Sequence, residues 1–123
     1  MNSQSQKTTV GLSQINNSFS GANYLPYSVG LLQAYVEKYS SCKERFEFLR
    51  PVFKRTSVEE AVKQLVPAEV IGFSLYVWNE QISLEIIRQL KRINPNIYIV
   101  CGGPQVPDRA ELFLRNNPAI DVA

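Results

Sequence analysis

Two periodicities alternate along the chain. Short runs of β-branched and aromatic residues are followed by segments whose apolar positions recur every three or four residues, the spacing of a helix face. The first strand is expected over residues 8–13, and a polar stretch over residues 14–23 follows it. A helix then runs from Pro26, placed at the first helical position, to about Tyr39. Val29, Leu32, Tyr35, Val36 and Tyr39 share one side of it, and that side, tyrosines included, is expected to pack into the core. Residues 45–49 alternate as a short second strand. Ser57 and Glu60 have the spacing of a capping box. They open a short helix whose inner face is Ala61, Val62, Leu65 and Val66, and Pro67 ends it.

The second half repeats the scheme more strongly. Residues 69–75 are nearly all apolar, as suits a central parallel strand covered on both faces. A helix beginning near Glu80 presents Ile82, Ile86, Leu90 and Ile93 on one side with Ile87 beside them, and Asn94-Pro95-Asn96 stops it. Residues 97–101 form the fourth strand and run into Gly102-Gly103-Pro104. Asp108 is expected to cap a helix through Leu112, Phe113 and Leu114, and a fifth strand begins at Ile120. That strand breaks off at the last residues, so the chain is expected to be a piece of a longer protein. Its sparsely covered sheet edge is expected to favour pairing of two copies.

Alternating strands and helices of this kind define an α/β fold. It is expected to be doubly wound and flavodoxin-like (Rossmann-like), with a parallel sheet of about five strands and helices on both faces. Residues 8–123 form this domain behind a flexible tail at residues 1–7. In the order 2-1-3-4-5 the topological switch lies between the first and third strands, where such sheets bind ligands. The unusual loops, residues 14–25 and 76–79, meet there with the glycine turn beside them. The glycines serve either a tight strand-to-helix turn or a close approach of a ligand to bare backbone. Trp78 either forms a flat rim with Tyr76, suited to a large planar ligand, or folds back as core.

Composition narrows the chemistry. The chain has 123 residues, 45% apolar and 20% charged, with 13 basic and 11 acidic residues and a net charge of +2. That balance argues against nucleic acid or an anionic membrane as partner, and no apolar run has the length of a membrane span. The basic residues between Lys43 and Arg55 are interleaved with Glu44 and Glu47 and read as a solvated loop. There is no histidine, which removes the usual metal ligand and general base. Cys42 and Cys101 are too far apart in sequence for a metal cluster, and a reduced, cytoplasmic protein is expected. No G-x-G-x-x-G follows the first strand and no G-x-x-x-x-G-K-[ST] occurs. Ser13 and Ser74 stand where a phospho-receiver would carry acids. No residue is expected to be catalytic or to ligate metal.

The order of elements, with Ser74 closing the third strand and Gly102-Gly103-Pro104 after the fourth, resembles the cobalamin-binding domain. The likeness is greatest to the version at the amino terminus of cobalamin-dependent radical S-adenosylmethionine enzymes. Residues 22–31, 72–79 and 102–108 carry it. The resemblance implies a corrinoid across the carboxyl ends of the strands, its base tail descending beside the first and third, Ser74 next to that tail, and Gly102 and Gly103 admitting tail or ring to the backbone. The better-known members carry Asp-x-His-x-x-Gly after the first strand. Here residues 13–18 read Ser-Gln-Ile-Asn-Asn-Ser, so the cobalamin is expected base-off without a histidine ligand. Its lower face is left to water, a loop side chain or no ligand.

The family's Cys-x-x-x-Cys-x-x-Cys is missing. A [4Fe-4S] cluster and S-adenosylmethionine are therefore expected on a radical S-adenosylmethionine domain of the same parent chain, an enzyme such as a methyltransferase. The cofactor-binding residues are expected to be Ser13, Gln14, Asn16 and Asn17; Ser74, Tyr76, Val77, Trp78 and Asn79; and Gly102, Gly103, Pro104 and Gln105. A reading of another class is a Rossmann-like protein-interaction module without cofactor. A flavin or nucleotide binder is a third, supported only by the glycine turn.

Overall fold

The structure, a computed structural model, describes residues 6–123. Four parallel strands form the sheet: β1 (Thr8–Ser13), β4 (Phe46–Phe48), β5 (Val70–Ser74) and β6 (Tyr98–Gly102), in the spatial order β4-β1-β5-β6. This is the flavodoxin-like order. Its reversal lies between β1 and β5, which pair from Val10↔Val70 to Ser13↔Phe73. β5 and β6 pair from Val70↔Tyr98 to Ser74↔Gly102, so their carboxyl ends are level. The expected fifth strand is a single parallel bridge between Val100 and Val122. Of the expected tail, residues 1–5 lie outside the described residues, and Gln6 and Lys7 are exposed coil.

Side-chain alternation divides the sheet into two unlike faces. On one, Ile71, Phe73, Ile99 and Cys101 are buried beneath α2 (Val58–Leu65), α3 (Glu80–Ile93) and α4 (Glu111–Asn116). Leu65, Ile86, Ile87 and Leu90 from those helices complete the core. Each such aliphatic side chain contributes about 1.5–3 kcal/mol on burial. Ser57 caps α2 by accepting from Glu60 N–H at 3.2 Å. Gly11 lets α2 close on the sheet, since a Cβ there would lie 3.0 Å from Leu65 Cδ2.

The other face carries α1 (Tyr27–Tyr39), and here expectation and structure part. Pro26 is the cap rather than the first helical residue, and only Val29 of α1 is buried. Leu32, Tyr35 and Tyr39 are exposed, Tyr35 by 63%. The helix is held against the sheet near its amino end, and an open groove separates the two. Three smaller differences follow from local chemistry. Asp108 does not cap α4, which starts at Glu111 behind Ala110 with no side-chain cap. Ile93 is exposed at the last turn of α3. The stretch after β1 contains a small antiparallel hairpin, β2 (Ser18–Phe19) and β3 (Ala22–Asn23). Ser20 and Gly21 turn it at positive φ, 49° and 77°, the backbone a two-residue hairpin turn needs.

Candidate cofactor-binding site

Two cavities open at the carboxyl edge of the sheet and meet at Tyr76. The upper one, about 450 Å³, is bounded by Gln14, Asn16 and Asn17 of the β1 loop, Tyr24 and Leu25 beyond the hairpin, and Tyr76 and Trp78. The lower one, about 420 Å³, is the groove between α1 and the sheet. Leu12, Val29, Leu32, Gly72 and Val100 make it apolar, and Ser74, Gly102 and Gly103 form its end.

The β5–α3 loop sets the aromatic wall. Tyr76 and Trp78 stack with ring centroids 4.6 Å apart and planes 15° from parallel. Asn79, 1% exposed, fixes this loop from beneath. Its Oδ1 accepts from Tyr76 N–H at 2.9 Å, and its Nδ2 donates to Ile15 O at 2.9 Å and Ser74 O at 3.1 Å. The loop is thereby tied to the end of β1. Trp78 Nε1 donates to Asn16 Oδ1 at 3.4 Å, and Asn16 Nδ2 donates to the carbonyls of Tyr24 and Leu25. Of the two readings of Trp78, the structure shows the rim: the residue is 40% exposed and lines the upper cavity.

The glycine turn wraps Leu75. Leu75 N–H donates to Gly102 O at 2.7 Å, and Gln105 N–H donates to Leu75 O at 3.1 Å. Gly103 has φ +99°, and a Cβ there would stand 2.6 Å from Leu75 O. No other residue fits. Gly102 is different: a Cβ there would meet nothing within 4 Å, because its open side is the lower groove. Cys101 lies behind this turn, where burial pushes its thiol up to about 12.

The site residues read from the sequence are therefore distributed unequally. Gln14, Asn16, Asn17, Tyr76 and Trp78 surround the upper cavity, and Ser74, Tyr76, Gly102 and Gly103 the lower. Ser13, Val77, Asn79, Pro104 and Gln105 line neither. Ser13 is buried with its Oγ unpartnered, and Val77 points outward, exposed. The sequence reading omitted Tyr24, Leu25, Tyr27, Ser28 and the inner side of α1. One signal was available: apolar residues run all round α1, and such a helix meets partners on more than one side. It also omitted Arg55, whose Nη1 donates to Trp78 O at 2.8 Å and to Asn17 Oδ1 at 3.4 Å. Among the described residues no group of three or more His, Cys, Asp or Glu side chains could hold a metal ion. No helix there is long and apolar enough to cross a membrane.

An open parallel sheet with a divided cleft at its switch point, floored by bare backbone and walled by stacked aromatics, defines a domain of the ligand-binding doubly wound class. The chain belongs to the B12-binding domain family, which it matches over residues 2–123. It is 36% identical over 99 residues to the cobalamin-dependent radical SAM methyltransferase TokK of Streptomyces tokunonensis. It is 35% identical over 99 residues to the 2-(S-pantetheinyl)-carbapenam-3-carboxylate methyltransferase of Streptantibioticus cattleyicolor. Each match covers 80% of this chain and 14% of the relative, so the matched part is a small share of those proteins' length.

Proposed function

We propose that this domain binds cobalamin in the base-off form with no histidine on cobalt. The observation that carries the reading is the pair of cavities joined at Tyr76. The upper one has a flat aromatic wall and amide groups, suited to a large planar ring edged with carboxamides. The lower one is a narrow apolar groove ending in bare backbone at Gly102 and an unpaired hydroxyl at Ser74, suited to a planar heterocyclic base on a flexible tail. The residues present fit the cofactor on their own chemistry. Tyr76 and Trp78 would support the ring, and Gly102 leaves room that a side chain would fill. Bound cobalamin supplies a cobalt centre able to carry a methyl group. The protein's residues would hold and orient it.

The larger setting belongs to the same proposal. A neighbouring radical S-adenosylmethionine domain, with its [4Fe-4S] cluster and S-adenosylmethionine, would perform methyl transfer in the cytoplasm. The activities of the two methyltransferase relatives motivate this. Two copies of the present chain would pair along the β6 side of the sheet, and light scattering at high concentration tests that.

Visible-absorption titration with hydroxocobalamin and with cob(II)alamin tests the main reading. A saturable shift toward the base-off spectrum, weakened by Trp78→Ala, is the expected result. A flat titration of folded protein would overturn it. That outcome would favour a Rossmann-like interaction module, for which the exposed Leu31, Leu32, Tyr35 and Tyr39 of α1 speak.

A further inference from the structure

The amides around the upper cavity can be accounted for bond by bond, because each offers one acceptor oxygen and two donor hydrogens. Both donor hydrogens of Asn79 are engaged, by Ile15 O and Ser74 O, and its oxygen takes Tyr76 N–H. Both of Asn16 are engaged too, by Tyr24 O and Leu25 O, while its oxygen takes Trp78 Nε1. Those of Gln14 are not. Its Oε1 accepts from Ser28 N–H at 3.1 Å and from Val29 N–H at 3.4 Å. Only the oxygen can accept from backbone N–H, so the orientation of the amide is chemically fixed. Its Nε2 is left with two hydrogens and no partner among the described residues. Gln14 is 6% exposed, yet Nε2 is not sealed in protein, since Ser13 Oγ is the buried partnerless atom there. The opening available to it is the upper cavity, which Gln14 lines.

Ser28 and Val29 are the second and third residues of α1. Their N–H groups are among the four that a helix leaves unpaired at its start. Pro26 makes no side-chain cap, so Gln14 caps α1 from the β1 loop. One side chain thus holds the helix with its oxygen and presents its nitrogen to the cavity.

We infer that Gln14 is a specificity-determining residue, whose Nε2 donates to an oxygen acceptor on the bound corrinoid while its Oε1 holds the first turn of α1. The inference rests on the cobalamin reading. The acceptor is a carboxamide carbonyl at the ring edge or a phosphodiester oxygen of the tail; both offer the same chemistry. A corrinoid bearing no acceptor at that place leaves a desolvated donor unpaired, which is costly. Occupancy of the cavity and position of α1 are coupled through the same amide.

Gln14→Glu separates the two halves of this role. A carboxylate still accepts from Ser28 and Val29 N–H, now as an anion at a helix amino terminus, where it is favoured. It has no N–H to offer at neutral pH. In the full 123-residue chain, the thermal midpoint of the variant is expected to hold or rise. Its hydroxocobalamin affinity is expected to fall by about tenfold or more, the effect of one unpaired buried donor. A purely structural Gln14 would leave affinity unchanged, and that result would overturn the inference. Wild-type protein gives an independent readout should the variant not fold. The Gln14 side-chain amide proton signals should move on saturation with hydroxocobalamin, and signals that stay in place would also overturn it. Cobinamide, which lacks the phosphodiester, identifies the acceptor. A Glu penalty that persists with cobinamide assigns a ring carboxamide, and one confined to hydroxocobalamin assigns the tail. If wild-type protein binds no hydroxocobalamin, the cobalamin reading and this inference fall together. Wild-type binding with no Glu penalty removes this inference alone.

Discussion

Ser28 Oγ and Tyr76 OH are hydrogen-bonded at 2.8 Å, across the seam where the two cavities meet. The pair joins the first turn of α1 to the loop after β5, elements 48 residues apart. Tyr76 does two jobs with two ends: its ring stacks on Trp78 and its hydroxyl holds α1. Tyr76→Phe separates them. It should cost about 1 kcal/mol, the net worth of an ordinary hydrogen bond, and leave the near-ultraviolet circular dichroism of the stacked pair intact. Tyr76→Ala should abolish that signal. A Phe variant that also lost it would show that the hydroxyl contact, not the stack, orders the loop.

The two adjacent glycines should respond oppositely to the same substitution. Gly103→Ala places a methyl 2.6 Å from Leu75 O at a φ of +99°, a backbone region that side chains rarely occupy. It should destabilise the domain severely or prevent folding. Gly102→Ala meets no atom within 4 Å. It should leave stability unchanged or raise it by about 0.4–1 kcal/mol through the unfolded chain, while weakening corrinoid binding because the methyl enters the groove. Thermal melts and hydroxocobalamin titrations of both variants check this. Full corrinoid affinity in the Gly102 variant would mean the groove is not used.

Asn79 should be the most sensitive polar residue in the domain. Asn79→Ala leaves Tyr76 N–H, Ile15 O and Ser74 O without their partner. Each unpaired buried group costs about 1–3 kcal/mol, and the loop can relax to rehydrate some of them. A loss of about 3 kcal/mol in urea unfolding is expected, with a red shift of Trp78 emission as the loop loosens. Unshifted emission would place the control of Trp78 with Arg55 and Asn16 instead.

Acid should weaken the β6 edge through Asp121. Burial pushes its pKa up, but the hydrogen bonds from Lys91 Nζ and Ile99 N–H and the lysine's charge outweigh this, and the net shift is downward. Both bonds are short, 2.8 Å and 2.7 Å. A carboxylate with a depressed folded pKa adds stability above its unfolded value, about 4. That stability is lost as pH falls through the folded value. Urea midpoints from neutral pH downward should therefore fall less steeply in Asp121→Asn than in wild type. Equal slopes would assign the acid sensitivity to other carboxylates.

The legible parts of the fold were those where one pattern has one cause. Ile71, Phe73, Ile99 and Cys101 are apolar because α2, α3 and α4 cover that face, and that reads directly, whereas Gly72 and Val100 at the centres of β5 and β6 line the groove on the other face. α2 announced itself through Ser57 and Glu60. α1 was misjudged because Val29, Leu32, Tyr35, Val36 and Tyr39 state which residues share a side of the helix, not what lies opposite. A helix packed on a sheet and a helix lining a groove share that spacing. Asp108 was named as a cap on residue type, but α4 begins three residues later. The three converging loops were correctly placed by topology, since the switch point depends only on strand order. Which side chains line a cavity and which hold the loops from beneath depends on hydrogen-bond geometry, as at Asn79, and no spacing rule carries that. Arg55 looked like one charge among many in a solvated stretch; only the path of the chain after β4 brings it to Trp78.

Among the described residues neither cavity is lined by a lysine, arginine, aspartate or glutamate, and the chain has no histidine. Among these residues the one charge beside the cleft is Arg55, held by Trp78 O and Asn17 Oδ1. With a single cation at the rim rather than a charged lining, mobile salt has little to screen. The dissociation constant for hydroxocobalamin should therefore change little from low to high ionic strength at fixed pH. Discrimination is left to shape and to the direction of a few N–H and O–H groups.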